Sequence, residues 1–161
     1  MVVVVTGVAG SGKTTVGKLL AHELGWPFFD ADDFHPPENV EKMRRGIGLT
    51  DADREPWLEA LAARIRALAA AGESGVLACS ALKESYRDRL AVDPAVRFVH
   101  LTGAPELLRK RLEGRKGHYA HADLLDSQLA ALEPPSGVPT FDVAPPPEAI
   151  VAEIRKALGL P

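Results

Sequence analysis

Gly7-Val8-Ala9-Gly10-Ser11-Gly12-Lys13-Thr14 follows a run of valines, Val2 to Val5, and leads straight into a stretch with helical spacing. No other feature of the chain restricts the fold as much. The valines read as a strand buried on both faces, so the chain must pass from sheet to helix through a tight glycine-rich turn. In such a turn successive N–H groups point inward and make an anion-binding nest. The helix that follows adds the positive end of its dipole. The spacing G-x-x-x-x-G-K-[ST] is that of a loop cradling the phosphates of a nucleoside triphosphate. Gly7, Gly10, Ser11, Gly12, Lys13, Thr14 and Thr15 are therefore the expected nucleotide-binding residues. Lys13 is expected to reach the β- and γ-phosphates, and the Thr14 hydroxyl to hold Mg²⁺. ATP and Mg²⁺ are the implied co-substrate and metal.

The rest of the chain fits one domain over residues 1–161. Apolar runs alternate with longer amphipathic stretches, the pattern of a parallel sheet covered by helices. Strands are expected at Val2–Thr6, Pro27–Asp30, Gly75–Cys79, Val96–Leu101 and Thr140–Val143. Helices are expected at Lys13–Leu24, Pro36–Arg45, Pro56–Ala71, Leu82–Leu90, Ala104–Leu112, Ala122–Leu132 and Pro147–Leu158, with Gly25 closing the first. The reading is thus a three-layer α/β P-loop fold with a five-stranded parallel sheet.

Charge and composition narrow the partners. A net charge of −3 gives no general attraction to nucleic acid or an anionic membrane, so neither is expected as a partner. Val2 to Val5 is too short to span a bilayer and lacks the basic flank of a signal peptide. Cys79 is the only cysteine, which excludes an intrachain disulfide and suits a reducing cytoplasm.

Three groups of polar residues are candidates for chemistry. The first is Asp30-Ala31-Asp32-Asp33 at the end of the second strand, where ligands of parallel sheets bind. Asp30 is suited to orient the water shell of the metal, and Asp32 to accept a proton from an attacking hydroxyl. Turn and capping aspartates are the alternative, and Asp33 reads as such a cap. The second group is Arg109-Lys110-Arg111 with Arg115-Lys116-Gly117-His118. Arg111 and Arg115 share a helix face. Arg115 is expected at the transferred phosphoryl group and Arg111 near the adenine or α-phosphate; a solvated basic helix end is the bland reading. Gly114 to His121, two glycines among basic and imidazole side chains, reads as a small lid. The third group is His35, Arg54, Lys83 and Arg87; taken singly each also reads as a surface residue, and His35 as a cap of the helix that follows, while Trp57 reads as a packing residue.

Several blocks together resemble the small bacterial-type gluconokinases. They are Asp30-Ala31-Asp32 with His35-Pro36 and Asn39, Glu41-Lys42-Met43, Gly46, Leu49, and Asp51-Ala52-Asp53-Arg54 with Pro56-Trp57-Leu58. Cys79-Ser80-Ala81-Leu82-Lys83 with Tyr86-Arg87-Asp88 continues the resemblance. Arg115-Lys116-Gly117-His118, Ser127-Gln128 and Leu132-Glu133-Pro134 complete it. The resemblance implies transfer of phosphate from ATP to D-gluconate, giving 6-phosphogluconate. It also implies a nucleoside-monophosphate-kinase-like fold with a lid at 114–121, an acceptor-binding helical segment over about 33–72, and a homodimer. One departure is Asp33-Phe34, where a more apolar pair is the family habit.

A gluconate carboxylate wants a cationic, preferably bidentate partner, for which Arg54 and Lys83 are candidates. Its hydroxyls want carboxylate, amide and imidazole partners, which Asp32, His35 and Gln128 offer. Two rivals use the same loop. A kinase of another small metabolite, such as shikimate, differs only in the blocks after His35 and at Cys79–Lys83. A non-enzymatic nucleotide switch needs an interaction surface gated by the γ-phosphate, and no surplus segment supplies one.

Overall fold

The side chains of Val2–Thr6 divide by the two-residue period of a strand. Val3 and Val5 enter one apolar cluster, Val2 and Val4 another. The strand therefore has no solvent face and carries no polar alternation. The computed structural model describes residues 1–114 and 122–161. Within them the strands are β1 (Val2–Thr6), β2 (Phe28–Asp30), β3 (Gly75–Ala78), β4 (Val96–Thr102) and β5 (Thr140–Asp142). All pair in parallel, in the order β2-β3-β1-β4-β5. The helices are α1 (Lys13–Leu24), α2 (Pro37–Arg44), α3 (Asp51–Ala70), α4 (Glu84–Leu90), α5 (Pro105–Glu113), α6 (Ala122–Ala131) and α7 (Pro147–Leu158). This is the three-layer α/β P-loop architecture, and element boundaries differ from expectation by only a residue or two, with one exception.

The two faces of the sheet are dressed differently, and that positions the site. Val16 and Leu20 of α1 pack on the Val3 and Val5 face with Leu108 of α5, Leu125 of α6 and Ile150 and Ile154 of α7. Trp57, Leu61, Ile65 and Leu68 of α3 pack on the Val2 and Val4 face with Tyr86 and Leu90 of α4. The connection leaving β1 thus goes to one face and the one leaving β3 to the other. Adjacent strands whose connections part in this way leave a crevice at their carboxyl ends.

The exception is α3. A proline favours the first turn of a helix, which places the expected start at Pro56. The helix instead begins at Asp51, because Thr50 and Asp53 form a capping box. The Asp53 N–H donates to Thr50 Oγ1 at 3.1 Å, and the Thr50 N–H donates to Asp53 Oδ2 at 2.9 Å. Asp53 is fixed further by Lys42 at 2.8 Å, a contact that holds its carboxyl down at about 2. The extra turn carries Asp51 and Arg54 as helical residues, and Pro56 sits inside the helix without an N–H to offer.

Candidate active site

At Gly10 and Gly12 the phosphate loop adopts left-handed backbone, φ 80° and 87°. A Cβ on Gly10 would meet the Leu108 carbonyl oxygen at 2.8 Å, so only glycine lets the loop lie this close to α5. A Cβ on Gly12 would meet nothing within 4 Å. There the backbone angle alone demands glycine, as it turns the chain into α1. The first N–H groups of α1 receive no side-chain cap, which leaves them for an anion. Ser11 Oγ is buried without a hydrogen-bond partner among the described residues. A buried hydroxyl is rarely left so, and in this cradle a phosphate oxygen is the group that completes it. The loop thus fits a polyphosphate.

Lys13 extends Nζ back across the loop to the Val8 carbonyl oxygen at 3.2 Å. Thr14 Oγ1 lies 3.4 Å from Asp30 Oδ2. A hydroxyl and a carboxylate at that spacing suit Mg²⁺, which keeps most of its waters and takes one or two protein oxygens plus substrate phosphates. Among the described residues no three or more His, Cys, Asp or Glu side chains cluster as a metal cage. Beside the loop, on the α1 face, opens a cavity of about 600 Å³ lined by Gly12, Thr15, Arg111, Val143, Pro145 and Ile150 among others. Its volume suits a nucleoside. Arg111 spans its rim, donating to the Val143 carbonyl at 2.6 Å.

On the other side of the loop stand the remaining aspartates. Asp30 Oδ1 accepts from the Asp32 N–H at 2.9 Å and caps the 3₁₀ turn Ala31–Phe34. The capping role expected of Asp33 therefore falls to Asp30, which faces both Thr14 and the turn. Burial, and then the neighbouring Asp30, push the Asp32 carboxyl up from its ordinary value, against an opposing pull from Lys13. His35 stacks on Trp57, centroids 4.5 Å apart and planes 9° off parallel. Trp57 donates Nε1–H to the Ala31 carbonyl at 2.7 Å, so the expected packing residue is also the floor under His35. Burial, then the Arg54 charge, depress His35 to about 4. The ring is neutral near pH 7, and Asn39 Nδ2 lies 3.2 Å from its Nδ1.

Arg54 projects from α3 over the Tyr86 ring, and its Nη1 donates to the Tyr86 hydroxyl at 3.2 Å. Tyr86 in turn donates to Asp51 Oδ1. Lys83 Nζ donates to the same carboxylate at 3.1 and 3.3 Å. Hydrogen bonds from Tyr86 and Lys83 lower the Asp51 carboxyl, and the bond to Asp51 raises Lys83. Asp51 and Tyr86 gain a place that their residue types alone did not signal. Tyr86 follows Lys83 by three residues, one helical turn, and that spacing was the available clue.

Two candidates stand elsewhere than expected. Gln128, assigned to acceptor hydroxyls, has Oε1 on the Ala9 N–H at 2.7 Å, against the phosphate loop. Arg87 is buried and spends its guanidinium on three carbonyls: Ala81 at 2.8 Å, Leu82 at 3.2 Å and Glu133 at 2.8 Å. It is a clasp between the β3–α4 connection and the end of α6. Arg115 and the stretch 115–121 of the expected lid lie outside the described residues.

A phosphate cradle with a nucleoside-sized cavity on one side and a cluster of polar side chains on the other is the layout of a P-loop kinase acting on a small acceptor. Residues 9–133 match the shikimate kinase family. A gluconokinase of Gluconobacter oxydans is 52% identical over 133 residues, covering 82% of this chain and 75% of that one. A probable gluconokinase of Xenopus tropicalis is 46% identical, covering 96% and 92%. The crystal structure of a gluconokinase from Sinorhizobium meliloti superposes with a TM-score of 0.87 at 45% identity, covering 98% of this chain and 90% of that one. The chain belongs to the gluconokinases, within the shikimate kinase family of P-loop enzymes.

Proposed function

We propose that this kinase transfers the γ-phosphoryl group of ATP to a hydroxyl of D-gluconate, giving 6-phospho-D-gluconate and ADP. The observation that carries the reading is the half-buried Arg54 beside His35, with Tyr86 and Lys83 gathered on a carboxylate next to it. Donors already arranged around a carboxylate on this side of the phosphate loop suit a sugar acid. In the reaction the acceptor O–H bond breaks, an O–P bond forms to the γ-phosphorus, and the bond to the bridging oxygen of ADP breaks. Asp32 is the acceptor for the hydroxyl proton; its raised pKa makes it the stronger base. Lys13 holds the β- and γ-phosphates, where charge moves in the transition state. Mg²⁺, when bound, neutralises phosphate charge, and Thr14 with Asp30 are the residues to hold it. Arg54 and Lys83 take the gluconate carboxylate, and His35, neutral and stacked, offers a ring nitrogen to a hydroxyl. Gln128 acts through the loop, by way of Ala9. Arg115 is assigned to the transferred group and Arg111 to the nucleotide, on sequence and on the cavity rim respectively.

The enzyme is proposed to work as a cytoplasmic homodimer with no nucleic-acid or membrane partner. The single buried Cys79 suits a reducing compartment, and a net charge of −3 supports the lack of a nucleic-acid or membrane partner. Among the described residues no helix is long and apolar enough to cross a membrane.

ADP release with D-gluconate, related aldonates, shikimate or no acceptor tests the assignment. D-Gluconate is expected to give the highest kcat/KM, and Arg54→Ala to raise its KM about ten- to a hundredfold, the loss of a charge-assisted hydrogen bond. ADP release that ignores the acceptor, or prefers shikimate, would sink the reading.

A further inference from the structure

The carboxylate on which Lys83 and Tyr86 converge is the protein's own. Asp51 is the first residue of α3, yet it is not the residue that starts the helix. That work is done by Thr50 and Asp53, which satisfy each other. The Asp51 side chain stays 68% exposed, and its hydrogen bonds are to Lys83 and Tyr86 alone among the described residues. Behind it, the Arg54 guanidinium makes one hydrogen bond among those residues, to the same Tyr86 hydroxyl. A guanidinium has five donors, so most of its capacity is left for another acceptor. Both cations also lie over the Tyr86 ring, each 5.6 Å from its centroid. Two donors of the kind that recognise carboxylates therefore gather on one carboxylate that the helix does not need, with the Arg54 guanidinium held beside them on the Tyr86 hydroxyl. The nearby acid Asp53 is taken by Lys42, and Glu55 by Arg89. Neither competes for this seat.

We propose that Asp51 is a resident stand-in for the acceptor's carboxylate: it occupies Lys83 and Tyr86 in the empty site and yields them, with Arg54, to the carboxylate of the incoming sugar acid. The inference rests on the sugar-acid reading above and adds to it a built-in competitor. An exposed ion pair contributes little to the fold, so the exchange is easy, and it keeps two cations and a phenol gathered while no substrate is present. The arrangement also sets a threshold. An acceptor without a carboxylate has nothing with which to displace Asp51, so Lys83 and Tyr86 stay engaged. The acceptor's carboxylate must also outcompete a tethered one.

Asp51→Asn keeps the side-chain shape and leaves the Thr50–Asp53 box alone. The expected result is a fall in the KM for D-gluconate of roughly two- to fivefold, the range of an exposed ion pair, with the KM for ATP unmoved. Calorimetric titration of D-gluconate alone into both proteins is expected to show the same ratio in Kd. D-Glucitol, the same chain with an alcohol in place of the carboxylate, is expected to gain nothing. A gluconate KM that stays put or rises in Asp51→Asn overturns the stand-in, as does an equal gain for D-glucitol. A wild-type protein that phosphorylates no aldonate fails differently: it removes the sugar-acid reading itself and this inference with it.

Discussion

Asp32 is under two opposed demands, and its ionisation separates them. As the proposed base it must be charged near neutral pH; as a partly desolvated carboxyl beside Asp30 it resists being charged. Its folded pKa stands above the unfolded value, so its contribution to stability is present below the unfolded pKa and is lost as pH rises through the folded one. At pH 7 the ionised group therefore weighs against the fold. Asp32→Asn is expected to raise Tm at pH 7 while turnover falls about 10²- to 10⁴-fold, the usual loss of a general base. Melting curves and steady-state rates on one preparation check both halves. A lower Tm would mean that the carboxylate holds the 3₁₀ turn together. A loss under tenfold would leave Asp32 as a positioning group, since loose phosphoryl transfer asks little of a base. His35 lies on the other branch of the same linkage. Its pKa is depressed to about 4, so the stability that it lends is present above the unfolded value near 6.5 and is lost as pH falls toward 4. Acidification from pH 7 to 5 is expected to lower Tm. His35→Phe keeps a ring on Trp57 and is expected to flatten part of that slope; an unchanged slope would put the titration elsewhere, His100 being the next buried imidazole.

Between elements, legibility depended on whether a residue's partner lay close in the chain. The phosphate loop and the Asp30–Asp32 turn were readable because their geometry is local: glycines at fixed offsets and a cap two residues away. The start of α3 was misread for the opposite reason, since Pro56 is a loud local signal and the Thr50–Asp53 box a quiet one. Gln128 and Arg87 were the least legible. Nothing near Gln128 in sequence announces that its amide meets Ala9, and nothing near Arg87 announces Glu133. Together they make the end of α6 a crosspiece, strapped to the phosphate loop and to the β3–α4 connection. The strap also includes the Glu133 N–H on the Leu82 carbonyl at 2.8 Å and the Glu84 N–H on Glu133 Oε1 at 2.7 Å. It spans Ala81, a non-glycine residue at φ 41°. Such a conformation persists only where its surroundings enforce it. Arg87→Ala leaves the Ala81 and Glu133 carbonyls without this donor, at about 1–3 kcal/mol for each group that stays unsatisfied. The expected total is about 2–6 kcal/mol in chemical denaturation. Arg87→Lys is expected to recover less than half, because one ammonium does not reach three carbonyls. A loss under 1 kcal/mol would show that water replaces the guanidinium and that the clasp is not structural.

Across the whole molecule, the sheet order decides where the two proposed substrate sites lie. β1 is central, and the connection after it feeds α1 on one face, while the connection after β3 feeds α4 on the other. The phosphate loop stands at the carboxyl end of β1, at the parting of the two. The cavity beside Thr15, Arg111 and Val143 belongs to the α1, α5 and α7 side. Asp32, His35, Arg54 and Lys83 belong to the side of the 3₁₀ turn, α3 and α4, joined by the Trp57–His35 stack and the Tyr86 cluster. In the proposed reaction a phosphoryl group passing from one substrate to the other crosses at the loop, beside Lys13. Ligands that bind only the folded state slow its opening in proportion to occupancy, and hydrogen exchange reads that segment by segment. A non-hydrolysable ATP analogue with Mg²⁺ is therefore expected to slow exchange in residues 7–16, 107–114 and 143–150. D-Gluconate alone is expected to slow exchange in residues 31–39, 51–58 and 80–87, leaving 143–150 unchanged. Both together protect the loop more than either alone, because only then is the crossing point filled from both sides. If D-gluconate protected the cavity beside Val143, or the analogue protected 51–58 without the loop, the division of the sheet into a nucleotide face and an acceptor face would be wrong.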